Sequence, residues 1–372
     1  MFGAASAAIM AYGVSLIYGC FGSLYIPDIA RGLAADGSRL GLVAGVGFAA
    51  MIVGILFKIS AVPFHFWCPD VFEGAPIEVT TWLSVASKAA GLGLLLRIVH
   101  ALCVGGPIDH LGPLAWGIGL IAAVTCTVGN LAALRQESVK RILAYSSISH
   151  AGYMMMAGAI LVKAGSSAHP GLAALIAYLL VYLLMNIGAF GVTAMVVWHT
   201  GSDHLSAFSG LGRRAPMLAL PMTICLFSLV GLPPLAGFAA KWWLLFALGE
   251  AAANQPWLWG LVVVAVVNTA ISLYYYVGIA KQMYLSDDPG QSPVDAPLGG
   301  VAMVNLAAVG LVLLGTIFFN PLGQKARQYA NRLYTEPSYS LMQPLASPSI
   351  PSDDPIRSVA VVQDASSPEV AP

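Results

Sequence analysis

Charge is scarce in this sequence. Only 9% of its 372 residues are Asp, Glu, Lys or Arg, whereas 58% are hydrophobic. Soluble globular domains carry about 25% charged residues, so the composition excludes that class. The 17 basic and 17 acidic residues balance, so the chain lacks the basic excess that would indicate a nucleic-acid partner. We therefore predict an integral membrane protein whose main surroundings are a lipid bilayer.

Cofactor motifs are also lacking. The five cysteines stand singly, at Cys20, Cys68, Cys103, Cys126 and Cys225. Without a CxxC pair they exclude a disulfide framework, a zinc knuckle and an iron–sulfur run. There is no Walker A loop, and the Gly-x-Gly strings at 45–47 and 210–212 lack the third glycine of a dinucleotide fingerprint. We predict that this chain binds no cofactor or metal and carries out no redox step itself.

Long apolar stretches recur along the chain with short polar breaks between them. A membrane-spanning helix needs about 17–25 such residues. The runs are rich in Leu, Ala and Gly and show no period-two alternation, which argues against membrane strands. We predict nine spanning helices, at about 2–26, 40–62, 79–104, 112–134, 139–162, 171–199, 216–248, 257–285 and 299–320.

Residues 1–334 therefore form a polytopic membrane domain. Residues 335–372 are rich in Pro, Ser and Asp without a sustained apolar run, and we predict a disordered tail there. Lys and Arg in short loops favour the cytoplasmic face. We accordingly predict that the loops containing Arg135, Lys140 and Arg213 are cytoplasmic.

Three lysines lie within the apolar runs: Lys58, Lys88 and Lys241. A lysine near a helix centre costs about 2.5–3.5 kcal/mol on insertion scales. Each is either a side chain that snorkels to the interface or a buried amine that takes up and releases protons. Lys88 is farthest from the ends of its span, which favours the second interpretation. No Asp or Glu lies deep in a predicted span, and Asp70, Glu73 and Glu78 fall in the predicted loop after the second span. Lys58 therefore lacks a carboxylate partner among these spans.

Two of these lysines neighbour prolines. Lys58 precedes Pro63, and Lys241 follows Pro233 and Pro234. Proline breaks a helix, which membranes tolerate only inside protein or beside a hydrated cavity. The broken spans are the second and the seventh, which are five apart. Because five is an odd number, two copies of a repeated five-helix unit would enter the membrane from opposite faces. We predict an all-α integral membrane protein of about nine transmembrane helices, with two Pro-broken helices in an antiporter-like inverted-repeat bundle.

His150 lies about a dozen residues into the fifth predicted span, near Ser146, Ser147 and Tyr153, with Lys140 at the span's entrance. A lone membrane histidine is more often a hydrogen-bonded packing residue. A histidine within a row of polar side chains also suits proton relay. Both interpretations stay open at this point.

Four strings carry a family resemblance. FKISAVPFHFWCPDVFEGAPIEVTTWLSVASKAAG at 57–91 resembles a distinctive stretch of subunit N of bacterial NADH:quinone oxidoreductase (complex I). The likeness continues through VKRILAYSSISHAGYMMMAG at 139–158, YLLVYLLMNIGAFGV at 178–192 and SLVGLPPLAG at 228–237. It covers about residues 1–320.

The resemblance implies an antiporter-like subunit with two inverted five-helix repeats. Such a subunit lies in the membrane arm, in contact with other subunits of the complex, and translocates protons as quinone is reduced elsewhere in the complex. It implies a multi-pass protein of the cell inner (plasma) membrane. It also implies a proton pathway through Lys58, Lys88 and Lys241, with Lys140 and His150 linked to the connecting hydrophilic axis.

The chain departs from this family at its beginning. Members carry about five more helices before the position of Met1, including a buried glutamate that faces the lysine at Lys58. We interpret the chain as a truncated gene model, a fragment, or a short form completed by a second chain. We therefore predict that the carboxylate partner of Lys58 comes from missing helices or another subunit. The alternatives are a subunit of an Mrp-type cation/proton antiporter or membrane hydrogenase, and a non-pumping scaffold.

Overall fold

The structure, a computed structural model, describes residues 2–35, 41–105, 111–161, 170–286, 294 and 296–335. Regular structure in these ranges is helical, apart from one isolated bridge between Ser138 and His204. In chain order the helices are α1 (Phe2–Phe21), α2 (Ile26–Ala35), α3 (Leu42–Ile59), α4 (Trp67–Gly74), α5 (Ile77–Trp82), α6 (Lys88–Gly105), α7 (Leu111–Ala133), α8 (Val139–Leu161), α9 (Pro170–Thr200), α10 (Leu211–Arg214), α11 (Pro216–Val230), α12 (Ala236–Ala252), α13 (Leu258–Leu285), α14 (Leu298–Thr316) and α15 (Phe319–Thr335).

The helices confirm an all-α membrane architecture. Within the described ranges, seven helical segments are long and apolar enough to cross a membrane, or eight if the bent pair 205–214 and 216–230 counts as one span. The prediction of nine is slightly higher. The difference lies in α8, which is long but polar, and in α11 and α12, which have only 15 and 17 residues.

Helix α8 lies in the centre of the bundle. From Val139 to Ile160 every side chain is buried except those of Arg141 and Tyr145, which are half-buried. Two glycines let α7 and α8 approach closely: a Cβ at Gly129 would lie 2.6 Å, and one at Gly152 2.5 Å, from backbone nitrogens of the facing helix. Small residues allow such backbone contact in membranes. The polar residues of α8 therefore face other helices rather than lipid.

The first predicted break is confirmed. Helix α3 ends at Ile59, and Ser60 takes a left-handed conformation with φ 63°. The backbone amide of Val62 donates to Thr125 Oγ1 at 3.0 Å, which ties the break to α7. The segment after the break was predicted as a loop, and that prediction is wrong. It forms α4 and α5, because α4 packs a buried face against α8 instead of exposing its backbone to lipid.

The second predicted break is confirmed as well. Helix α11 ends at Val230, and Gly231 follows with φ 91°, a conformation that favours glycine. Pro233 and Pro234 lie in the turn that leads into α12. The amide of Gly237 donates to a side chain of α11, so the two half-helices remain connected across the break.

Three further helices, α2, α10 and α15, were not predicted. The short α2 follows α1, and α15 occupies residues that the sequence placed between the last span and the tail. Residues Met1–Leu333 form one compact unit, which contains all the contacts described below. The predicted tail, 335–372, lies outside the described residues beyond Thr335.

Candidate functional site

Lys88 lies in a closed interior position. It is the first residue of α6, directly after the π-helical turn Leu83–Ser87, and its exposed fraction is 0%. Such turns are frequent at functional sites. The Lys88 ammonium donates to Ser147 Oγ at 3.1 Å and lies 5.6 Å from the centre of the Phe72 ring. No carboxylate of the described residues lies within 4.0 Å of it.

Lys241 is buried beside the second break. Its ammonium donates to the carbonyl of Val230 at 2.9 Å and lies 4.6 Å from the centre of the Tyr153 ring. Val230 is the last residue of α11. Carbonyls at a helix C-terminus lack intrahelical donors and carry the negative end of the helix dipole, so a cation is favourable there. Among the described residues, Lys241 also has no carboxylate within 4.0 Å.

His150 lies between the two lysines. Ser147, His150 and Tyr153, here called the α8 file, are spaced three residues apart and share one face of the helix. The first and last members are six positions apart, which corresponds to about 9 Å along the helix axis. Lys88 contacts the first member of the α8 file and Lys241 the last. The structure therefore brings three of the five predicted site residues together along α8.

The imidazole of His150 has a partner on each nitrogen. Its Nδ1 lies 2.8 Å from Tyr178 Oη, and its Nε2 lies 3.4 Å from Tyr276 Oη. Tyr276 Oη also forms a hydrogen bond with Ser146 Oγ. These contacts make His150 a hydrogen-bonded packing residue. The same contacts connect it to the hydroxyl groups of Tyr178 and Tyr276 and, through Tyr276, to that of Ser146.

Sequence reasoning missed the two tyrosines. Tyr178 and Tyr276 lie in the middle of predicted spans, whereas membrane tyrosines are enriched at the interfaces. Both are fully buried around His150. Their depth within the predicted spans is the sequence feature that indicates them, because a tyrosine hydroxyl inside a bilayer needs a polar partner.

Lys58 and Lys140 lie apart from the α8 file. Lys58 is in the last turn of α3, exposed at the surface of the described chain, and its ammonium makes no ion pair there. Its backbone carbonyl accepts from Ser87 Oγ at 3.1 Å, which joins the end of α3 to the residue before Lys88. The ammonium of Lys140 is buried and donates to the carbonyls of Glu73 and Ala75, at 2.7 and 3.1 Å.

The chemistry of this site is that of proton donors and acceptors. Across the described part of the chain, no three His, Cys, Asp or Glu side chains gather where they could hold a metal ion. The acceptors of the two buried amines are a hydroxyl and a carbonyl. Either acceptor takes a hydrogen bond from an ammonium or from a neutral amine, so neither fixes the protonation state as a carboxylate would.

Known proteins are similar in sequence to this chain. A family model described as "NADH:quinone oxidoreductase/Mrp antiporter, TM" matches residues 1–271. NADH-quinone oxidoreductase subunit N 2 of Sorangium cellulosum is 44% identical over 330 residues, covering 87% of this chain and 63% of that protein. Subunit N of Anaeromyxobacter sp. is 38% identical over 348 residues, covering 87% and 64%.

Solved structures share the fold. A chain of respiratory complex I from Thermus thermophilus superposes with a TM-score of 0.68 at 36% identity, covering 86% of this chain and 66% of that chain. A chain of the Mrp complex from Dietzia sp. gives a TM-score of 0.76 at 21% identity, covering 91% and 67%, and shows the fold alone.

The matches cover most of this chain but a smaller share of each relative. The chain spans about 63–64% of the length of the two curated relatives. The family model nevertheless matches residues 1–271, well over half of the chain, and both helix breaks and the three interior lysines fall within that range. The chain belongs to the NADH:quinone oxidoreductase/Mrp antiporter family of transmembrane proteins.

Proposed function

We propose that the chain is a membrane-arm subunit of a proton-pumping NADH:quinone oxidoreductase. It translocates protons through Lys58, Lys88, His150 and Lys241, with Lys140 beside this route at the start of α8, while quinone is reduced in other subunits. It contacts those subunits and the lipid of the cell inner (plasma) membrane, and binds no cofactor itself. The printed names of its relatives, NADH-quinone oxidoreductase subunit N, support this assignment.

The observation that carries the proposal is the α8 file with a buried lysine at each end. Burying one lysine costs about 2.5–3.5 kcal/mol on insertion scales, and this chain buries both Lys88 and Lys241 without a nearby carboxylate in the described ranges. Packing does not require that cost, since leucine or methionine fills the same space. A proton moving between Lys88 and Lys241 meets Ser147, His150 and Tyr153 on its way.

The mechanism assigns each group a task. The amine of Lys88 holds a proton, and Ser147, its hydrogen-bond acceptor, is the next polar group toward His150. His150 accepts on one ring nitrogen while the other donates, and the tyrosines on either side fix the ring orientation. Lys241 receives the proton beside the open backbone of the second break. The energy for each transfer comes from the other subunits.

The proposal predicts a specific failure in Lys241→Met. Everted membrane vesicles from cells with this variant should still oxidise NADH. The vesicle lumen should acidify at least tenfold more slowly than in the wild type, as measured with a pH-sensitive fluorescent dye. Lys241→Arg should fail similarly, because a guanidinium keeps its proton. Lys281→Met, which alters an exposed lysine on α13, is the matched control and should acidify normally.

Two outcomes would contradict the proposal. Normal NADH-driven acidification by Lys241→Met would remove this lysine from the pathway. Sodium-dependent proton movement in wild-type vesicles without NADH, abolished by Lys241→Met, would instead show a cation/proton antiporter.

A further inference from the structure

We propose that Lys140 is a positioning residue. It holds α4 along α8, and α4 in turn forms the wall that encloses the Lys88 ammonium. The inference rests on the proposed function for its consequence on transport, while the packing that it describes is measurable separately.

The contacts of Lys140 all lie on one end of α4. Its buried ammonium donates to the carbonyls of Glu73 and Ala75, at and just beyond the C-terminal end of that helix. These carbonyls lack intrahelical donors, and the negative end of the helix dipole lies there. Arg141 adds contacts from Nη1 to Glu73 Oε2 at 2.6 Å and to Asp70 Oδ1 at 3.3 Å. The α8 entrance therefore binds the end of α4 through backbone and side chains.

The buried face of α4 contacts the Lys88 site. Cys68 and Phe72 are four residues apart, so they lie on one face of the helix, and both have an exposed fraction of 0%. Cys68 Sγ lies 3.8 Å from Ser147 Oγ, the hydroxyl that accepts from Lys88. The Phe72 ring lies over the Lys88 ammonium. These two side chains separate Lys88 from the outer surface of α4.

The spacing of the two contacts makes α4 and α8 run antiparallel. On α8, Lys140 and Ser147 are seven residues apart, about 10 Å of axis. On α4, the same two contacts fall at Ala75 and Cys68, again seven residues apart and in reverse chain order. Because the two lengths match, fixing the end of α4 at Lys140 sets the position of Cys68 and Phe72 at Lys88.

A positioning role and a relay role predict different results for arginine. Arginine offers several N–H donors to the two carbonyls, but it keeps its proton at any accessible pH. If Lys140 positions α4, then Lys140→Arg should retain function and Lys140→Met should not. If Lys140 passes protons, both variants should fail.

The experiment measures the position of α4 through the Cys68 thiol. In the full chain in native membranes, the other four cysteines are replaced by alanine and Cys68 is labelled with N-ethylmaleimide. Lys140→Met should label about tenfold faster than wild type and acidify everted vesicles several-fold more slowly. Lys140→Arg should label within twofold of wild type and keep at least half of the acidification rate. Lys281→Met is the control for removal of a lysine from an unrelated helix end.

Each outcome decides the inference. Unchanged labelling of Cys68 in Lys140→Met overturns it, as does loss of acidification in Lys140→Arg with unchanged labelling, which shows a relay. Labelling that changes as expected supports the packing even if wild-type vesicles do not pump, so failure of the proposed function is recognised separately. If Lys140→Met does not accumulate, Arg141→Gln tests the same anchor. It should raise labelling about threefold, less than Lys140→Met, because a partly exposed ion pair contributes little. Labelling within twofold of wild type in Arg141→Gln also overturns the inference.

Discussion

Replacing Lys88 by methionine should separate stability from transport. Methionine keeps most of the side-chain volume and removes the amine. It recovers about 2.5–3.5 kcal/mol of insertion cost and loses a hydrogen bond worth about 1.5–3 kcal/mol. Ser147 Oγ still donates to the carbonyl of Ala144 at 2.8 Å, so no unpaired hydroxyl remains. We expect the free energy of unfolding to lie between about 0.5 kcal/mol lower and about 2 kcal/mol higher than that of the wild type. Proton transport should fall at least tenfold.

The assay combines two measurements on the same membranes. Thermal unfolding of the solubilised protein reports stability, and NADH-driven acidification of everted vesicles reports transport. Lys88→Arg should also stop transport, because the guanidinium keeps its proton. It should also lower stability, since the larger group overpacks a site with 0% exposure. Lys281→Met, at an exposed position, should change neither quantity.

The prediction for Lys88→Met fails in two distinguishable ways. Normal acidification by a stable variant would show that Lys88 is not part of the pathway. A stability loss of more than about 2 kcal/mol would show that the amine holds the bundle together, and the transport defect would then need no relay.

Three further predictions address the helix contacts. Gly152→Val should prevent accumulation of the folded protein in membranes, judged by immunoblot, because its Cβ would lie 2.5 Å from the α7 backbone; normal accumulation contradicts the close packing. Tyr178→Phe removes the 2.8 Å contact with His150 and should cost about 1–3 kcal/mol of stability and several-fold in acidification; wild-type acidification would limit the contact to packing. Pro233→Ala with Pro234→Ala should restore a more continuous helix and weaken coupling, measured as protons moved per NADH, and an unchanged ratio would leave the break without a role in transport.

The lysines show where sequence reasoning ends. Their presence in apolar runs predicts a functional role, but the sequence gives Lys58 and Lys241 the same signal, an apolar run with a neighbouring proline. In the structure Lys88 and Lys241 are buried in the bundle, whereas Lys58 is exposed on the described chain. Helical periodicity does not distinguish these cases, because spans that are apolar all round carry no stripe to mark the inner face.

The prediction that Lys58 needs a carboxylate from outside this chain stays a prediction. Among the described residues no carboxylate lies within 4.0 Å of its ammonium. The acidic residues after the first break were predicted in a loop and lie on α4 and α5 instead. There Glu73 and Asp70 pair with Arg141.

Composition and chain order by themselves determined that this protein lies in a membrane, that it is helical, and where its two spans break. These properties follow from the hydrophobic length that a bilayer requires and from the missing amide of proline, both of which are local. Only the tertiary structure decided that Lys140 and Lys241 bind backbone carbonyls and that tyrosines enclose His150. A helix end exposes its carbonyls whatever its sequence, so the partner of such a lysine depends on how distant helices pack.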